Sequence, residues 1–492
     1  MTTTPSPAAG PLTAARGSRP DGPPAAVGSG ATYDIAAFAA GAVARRAGAD
    51  QADAVLTALV DTVAVTVAGM STPAVRILLE VLEAEPAPGD CRLWGSALAV
   101  GPSAAALING TAAHALDWDD ASPTMPMHPA AVLLPALVAQ AARTGATTDS
   151  FVSAYAVGSA VFRAVSEVLP LEVHYGRGWH NTSTTGRLAA TAALAALTGL
   201  GLEETRHALG VAASMASGSL ANFGTMTKPL HAGLAARDAV TAVALAQRGF
   251  TSRHTQLEAT GGFFALFGDT DDVRLRELPE RLRRWESTWR DDWVIKRYPS
   301  CYATHRAIDA VLDLRTSVHP EAVSSVEVTV HAGGLRPLLA HLPSTGLEGK
   351  FSLPYTVARA VRSGHVRLTD FTDEAVLDPA LRPLVEGVVV REGPDPDVQG
   401  STEPFTVVTI HTNDDQVHTR RVDVSRGDAR NPMSTTELMD KAVEAFEFVG
   451  WAPAPTHDLL AGLASLWAGG DLGGLQDVLA GEGATGVRRG LA

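Results

Sequence analysis

From about residue 34 to 290, apolar positions recur at mixed three- and four-residue spacing, interrupted by Gly, Pro and Asn. The stretch 52–70 (ADAVLTALVDTVAVTVAGM) has this pattern, as do 103–116, 129–143, 147–167, 187–199, 203–217 and 232–248. That spacing puts apolar side chains on one face of a 3.6-residue helix. With Ala abundant and β-branched alternation scarce, it predicts a packed helical domain. After Trp293 the period changes. Residues 324–333 (SSVEVTVHAG) and 405–424 alternate as half-buried strands do, the second with Asn413-Asp414-Asp415 as a hairpin turn. Shorter strand candidates are 365–370 and 386–390, and helices are predicted over 304–318 and 353–364. Helical periodicity returns after Pro432: Ser434 and Glu437 form a capping box for a helix to about Glu447, and 456–482 is helical again.

This order predicts a mainly α fold with an α+β lid, in which a large all-helical domain is interrupted by a smaller inserted α+β domain. The divisions are a tail over 1–31, the first part of the helical domain over 32–293, the α+β lid over 294–430, and a C-terminal helical return over 431–485. The tail is rich in Pro, Gly, Ala and Ser, too poor in apolar surface to order itself, and is predicted to be disordered.

Composition narrows the function. The 492 residues carry a net charge of −14, with 46% hydrophobic and 19% charged positions. Nothing basic is concentrated enough to displace phosphate counterions, which argues against nucleic acid as a partner. Two cysteines, Cys91 and Cys301, exclude a disulfide scaffold and a thiolate-held iron–sulfur cluster of one chain. No run reaches the roughly 18 apolar residues needed to cross a bilayer, and the N-terminus lacks the basic head and apolar segment of a secretory signal, so a cytoplasmic location without a membrane partner is expected.

Of the 39 basic residues only Lys228, Lys296, Lys350 and Lys441 are lysine. Where Arg serves as the generic cation, a retained Lys marks a position that needs a compact ammonium; the plain alternative is chance over four events. Common catalytic signatures are missing: there is no G-x-S-x-G, H-E-x-x-H or C-x-x-C, and Ser344 and Phe351 spoil a P-loop ending at Gly349-Lys350.

Five polar segments stand out within apolar surroundings: 109–120 (NGTAAHALDWDD) with 127–131 (MHPAA), 176–186 (GRGWHNTSTTG), 224–233 (GTMTKPLHAG), 296–310 (KRYPSCYATHRAIDA) and 349–360 (GKFSLPYTVARA). His114 and Asp117, three apart at a helix end, share a face, and Asp117, Asp119 and Asp120 lead into a loop over 121–126. His128 precedes Pro129 at a helix start, where the helix dipole favours the neutral imidazole; the bland reading is a polar helix-start residue and a solvated acidic loop. Thr182 and Ser183, ahead of a helix expected near Arg187, offer caps and backbone N–H groups to a carboxylate, or simply cap a loop. Lys228, in a loop before an Ala-rich helix, suits a substrate carboxylate or developing enolate charge. His231 reads as a structural histidine at a helix start. Cys301 and His305, four apart, share one helical face; a Cys–His nucleophile pair is one reading, and pocket lining for Cys301 with His305 as participant is the other. Tyr355 is either a phenol donor in the lid or an amphipathic core residue.

Taken together and in this order, the five segments resemble the MmgE/PrpD family, whose members include dehydratases, decarboxylases and epimerases of small polycarboxylates. The resemblance covers most of residues 34–480. It implies a helical domain with an inserted α+β lid, an active site between them, a homodimer, and chemistry that needs no cofactor and no metal. It implies a catalytic set of Asp117, His128, His180, Lys228, His305 and Tyr355. Around them Arg177, Thr182, Ser183, Thr227, Cys301, Lys296 and Lys350 are expected to bind substrate. Family members often carry Thr where Ala121 stands here, and the loop to His128 is longer by one residue, which points to an altered pocket. The expected activity is that of a hydro-lyase on a 2-methylcitrate-like hydroxy acid. The alternatives are a cis-aconitate-like decarboxylase or an iminodisuccinate-like epimerase, and, from another class, a non-catalytic dimeric binding scaffold.

Overall fold

The computed structural model describes residues 29–44, 48–398, 400–401 and 403–480. Most of the predicted tail and residues 481–485 of the C-terminal return lie outside the described residues, and Ala31, expected in the tail, already opens helix α1 (Ala31–Ala40). Seven long helices follow: α2 (Ala49–Gly69), α3 (Pro102–Ala115), α4 (Pro129–Thr144), α5 (Thr148–Val168), α6 (Asn181–Thr198), α7 (Leu202–Met215) and α8 (Thr227–Ala246). Helix α6 is at the centre, packed by α4, α5, α7 and α8. Its residues from Asn181 to Leu197 are buried on every side, which suits its run of Ala and explains why its apolar periodicity is weak.

Two helices start earlier than the pattern suggested. The hydroxyl residues expected to precede α6 instead form its first two turns, with His180 at the N-cap, and Lys228, expected in a loop, lies in the first turn of α8. Buried Ser and Thr can occupy a helix when their hydroxyls find local acceptors: Thr185 Oγ1 donates to Asn181 Oδ1 at 2.7 Å and Thr184 Oγ1 to the His180 carbonyl at 3.3 Å.

Helix α3 meets α8 backbone to backbone. A Cβ on Gly233 would lie 2.2 Å from the Leu107 carbonyl oxygen and the Thr111 hydroxyl, and one on Gly110 would lie 2.9 Å from the Gly233 Cα. Only glycine permits this approach. It brings the C-terminal end of α3 beside the N-terminal end of α8.

The α+β region holds a four-stranded sheet built from β1 (Val323–His331), β2 (Val388–Gly393), β3 (Thr406–Thr412) and β4 (Val417–Val422), in the order β2-β1-β3-β4. β1 runs parallel to β2, with Val326 opposite Val388, and antiparallel to β3, with Val328 opposite Val408. The β3–β4 hairpin turns through the predicted residues, with Asp415 in the left-handed region at φ 60°. Val326, Val328, Val330, Val408 and Ile410 point inward against α9 (His305–Leu314) and α10 (Leu353–Ser363). Residues 365–370 are not a strand. The Asp370 carboxylate accepts from the Arg367 backbone N–H at 2.7 Å and closes a short helical turn over Leu368–Phe371 instead.

Helices α11 (Thr435–Phe448) and α12 (Pro453–Gly469) return to the helical core and pack on α2. The mainly α fold with a small mixed sheet in its C-terminal region is as the pattern indicated. One expectation needs correction: α2 and α5 are each 21 residues long and apolar enough, by length and composition, to span a bilayer. Their most apolar windows are 67% and 89% buried within the molecule, so that surface is spent on the core.

Candidate active site

Helix α3 ends at Ala115, and Asp117 adopts a left-handed backbone at φ 52°. Asp tolerates this conformation better than most residues. Contrary to expectation, His114 and Asp117 therefore do not share a helical face; it is the turn that brings them together. Its carbonyl and its carboxylate both face ammonium groups. Lys228 Nζ donates to Asp117 Oδ1 at 2.6 Å, while Lys296 Nζ lies 3.2 Å from that oxygen and donates to the Asp117 carbonyl at 2.8 Å. All three side chains are buried. Burial pushes the Asp117 carboxyl up, but the two ammonium groups outweigh it and hold it far below the usual carboxylate range. Burial works against the Lys296 charge too, and Asp117 and Asp119 more than restore it.

Beside this triad runs a row of imidazoles. His128 and His114 have ring centroids 4.3 Å apart, His114 and His180 6.3 Å, and His180 and His231 5.3 Å. His128 is the N-cap of α4, with Pro129 in the first helical position as predicted, and its backbone N–H donates to Thr182 Oγ1 at 3.2 Å. His180 Nδ1 meets His231 Nδ1 at 3.0 Å. Burial pushes His114 down to about 3, against the pull of Asp119, and Lys228 adds to the depression. Burial followed by Lys228 and neighbouring histidines holds His180 well below its ordinary value, and burial with Arg187 and Lys228 takes His231 to about 4. The site thus keeps His114, His180 and His231 neutral while surrounding them with fixed positive charge.

The α+β region closes the other side. Phe351 stacks on the Lys228 ammonium at 5.0 Å, with Phe223 at 5.3 Å on another side. Lys350 is buried, donates to the Pro299 carbonyl at 2.8 Å and lies 4.4 Å from the Phe371 ring centroid. Burial lowers its ammonium to about 7; Asp117 opposes the shift, while Lys296 and Lys228 deepen it. His305 is fully buried with Nδ1 unpartnered among the described residues, and burial plus Lys296 bring it to about 3. Cys301 precedes the short turn leading to α9, so it does not share a helical face with His305. Burial and Asp117 raise its thiol, which keeps it protonated and unsuited to nucleophilic attack.

Other sequence-based candidates lie elsewhere. The Tyr355 hydroxyl donates to the Asp370 carbonyl and sits within the apolar core of the α+β region, beside Arg359. The core reading of this residue is the one its contacts favour. Arg177 pairs with Asp269 and donates to the Leu266 carbonyl, with its side chain 35% exposed. Its guanidinium is therefore spent on a surface contact. Thr227 opens α8 and its backbone N–H is bound by Thr225 Oγ1. Ser183 Oγ accepts from Arg187 at 2.8 Å, which gives it a structural partner.

Some site residues were not put forward from the sequence. Asp119 accepts from His114 and His128; Lys441, on α11, donates to the Trp118 carbonyl at 2.8 Å and to Asp61 at 2.6 Å. The signal for Lys441 was its rarity: all four lysines of the chain are buried at or behind this loop. His114, Asp117, Asp119 and His128 each bring a nitrogen or oxygen within 4.8 Å of the others, a spacing that a divalent cation can bridge. Lys228 and Lys296 already supply positive charge to Asp117, and Asp119 already engages both histidines, so the donor set is neutralised by the chain itself.

The MmgE/PrpD N-terminal domain matches residues 33–276 and the MmgE/PrpD C-terminal domain matches residues 298–452. Similar proteins include the cis-aconitate decarboxylase of Mus musculus, 27% identical over 351 residues that cover 69% of this chain and 71% of the relative. That of Homo sapiens is 25% identical over 374 residues, covering 73% and 76%. A cis-aconitate decarboxylase of Aspergillus terreus is 26% identical over 385 residues, covering 72% and 76%.

Proposed function

The chain belongs to the MmgE/PrpD family, and from that premise we propose that it is a lyase acting on a small di- or tricarboxylate, with loss of CO2 from a cis-aconitate-like acid as the leading reaction. The observation that carries this reading is the buried Asp117–Lys228–Lys296 triad set against a row of histidines. Fixed ammonium groups in a dry site bind carboxylates and stabilise negative charge developing on the adjacent carbon. Lys228 and Lys350 are the ammonium groups we assign to substrate carboxylates, while Lys296 keeps Asp117 in place.

In decarboxylation the electron pair of the breaking C–CO2 bond passes into the conjugated system, as an enolate-like carbanion facing Lys228. CO2 leaves, and a protonated histidine, His128 or His180, returns a proton to carbon. Substrate binding favours that proton: two or three carboxylates oppose the burial and lysine charge that disfavour it at His180.

A second reading, dehydration of a 2-methylcitrate-like hydroxy acid, is favoured by the presence of two histidine pairs, His114–His128 and His180–His231. Eliminating water needs one group to take the α-proton and another to protonate the departing hydroxyl, whereas decarboxylation needs a single acid.

The deciding experiment follows the purified, EDTA-treated protein by proton NMR in D2O with cis-aconitate, 2-methylcitrate, citrate and iminodisuccinate. Loss of a carboxylate is the expected result. A new alkene from a hydroxy acid moves the assignment to dehydratase, and α-proton exchange without elimination to epimerase. Silence across all four acids sinks the proposed substrate class. Lys228→Met is expected to reduce turnover at least about 100-fold by removing one charge-stabilising donor.

A further inference from the structure

Asp119 has no role in the chemistry above, yet its fully buried carboxylate touches two imidazoles at once. Its oxygens lie 3.0 and 2.9 Å from His114 Nδ1, and one of them lies 3.2 Å from His128 Nδ1. The His128 Nδ1 is also 2.8 Å from the Asp120 carbonyl oxygen. A carbonyl and an ionised carboxylate have only lone pairs to offer, so the imidazole nitrogen is the donor at each contact. Each Nδ1 therefore carries a proton, so in its neutral form each ring is the Nδ1–H tautomer with its lone pair on Nε2, at the opposite edge of the ring.

For His114 that opposite edge is conspicuous. Its Nε2 is buried and has no hydrogen-bond partner among the described residues. An unsatisfied buried acceptor is costly, and a bound group with a proton to share would offset that cost. His114 also stands between the rings of His128 and His180, so its free nitrogen belongs to the same row as the two histidines named for proton transfer. Nearby, Asp117 Oδ2 is likewise buried with no partner among the described residues, so two polar atoms, not one, are oriented for a ligand.

We propose that Asp119 is a positioning residue that fixes His114 and, with the Asp120 carbonyl, His128 as Nδ1–H tautomers and so presents two Nε2 acceptors, His114 among them, to the substrate. When either Nε2 takes a proton from substrate carbon, the C–H electron pair stays on carbon and the imidazolium formed keeps its Nδ1–H bond to the Asp119 carboxylate. The reverse transfer restores both neutral partners. Only the kinetic part of this inference rests on the lyase reading; the tautomer assignment stands on geometry alone.

The test is long-range proton–nitrogen correlation NMR on the full chain labelled with 15N-histidine, with His114 and His128 assigned by single Gln substitutions. In the wild type both rings are expected to carry the proton on Nδ1. In Asp119→Asn the Asp120 carbonyl still accepts from His128 Nδ1, whereas the amide turns its NH2 toward His114, so His114 is expected to switch to the Nε2–H tautomer. With an acid that the enzyme turns over, kcat of Asp119→Asn is expected to fall by roughly 10²- to 10⁴-fold with KM changed less than about threefold, the pattern for a wrong histidine tautomer. Asp119→Glu, which keeps the carboxylate, is expected to recover part of the loss. A wild-type Nε2–H signal on either ring overturns the proposal, as does an Asp119→Asn protein with both tautomers unchanged. If Asp119→Asn does not fold, the wild-type and Asp119→Glu spectra decide alone. If no acid is turned over, the lyase reading fails while the tautomers still answer this question.

Discussion

At the residue scale the site is governed by what burial does to charge. Asp117 survives as a buried carboxylate because two ammonium groups face it, and His114 and His180 stay neutral because burial and the Lys228 charge disfavour a further proton. This has a measurable consequence at His231, which burial, Arg187 and Lys228 lower from 6.5 to about 4. Between those values the unfolded chain binds a proton at this position and the folded chain does not, so the contribution of His231 to stability is complete above about pH 6.5 and is lost as pH falls toward 4. Gln has no such proton. His231→Gln is therefore expected to be less stable than the wild type at pH 7 and to close the gap by a few degrees at pH 4.5, read as the difference in Tm at the two values. A gap independent of pH would contradict the depressed value.

At this scale the sequence was partly legible. The five polar segments supplied Asp117, His128, His180, Lys228, Lys296, Lys350 and His305, and the structure brings these together. Tyr355 and Arg177 were misplaced because a phenol or guanidinium inside a suggestive segment gives no sign of where it points. Asp119 was hidden for a related reason: in Asp-Trp-Asp-Asp the three carboxylates look alike until the left-handed turn at Asp117 sends each to a different partner.

At the scale of elements, the contact between α3 and α8 positions the chemistry. Gly110 and Gly233 let the two helices touch, and the antiparallel pair then sets Asp117, just past the end of α3, against Lys228 at the start of α8. Gly233→Ala would place a methyl group 2.2 Å from a backbone oxygen that no side-chain rotation can move. We expect it to cost about 3 kcal/mol, seen as a lower denaturant midpoint, and to weaken the Asp117–Lys228 bond together with activity. Wild-type stability in this variant would mean that the helices separate freely. The helices themselves were readable from their period, but the starts of α6 and α8 were not, because hydroxyl-rich and Lys-Pro sequences normally signal a cap. Here tertiary burial overrides that local preference. The strand expected at 365–370 failed the other way, when a side-chain carboxylate captured a backbone N–H that a sheet would have used.

At the scale of the whole molecule, a helical body, an α+β region and a helical return converge on one loop. Lys228 comes from the body, Lys296 and Lys350 from the start of the α+β region and the segment before α10, and Lys441 from the returning α11. The change of period along the chain made this order of regions visible. Their meeting at residues 117–120 was not visible, because contacts between segments hundreds of residues apart leave no periodic trace.

The burial of every lysine gives this protein an unusual surface, positive only through arginine. Amine-directed acylating reagents should find no side-chain target on the folded chain, so coupling or cross-linking through lysine will be poor under native conditions. That silence is useful. Any lysine acylation that mass spectrometry detects at residues 228, 296 or 350 will time the exposure of those ammonium groups to solvent, and a bound polycarboxylate should slow it. Acylation as fast as that of a denatured control would show that the four ammonium groups are not enclosed.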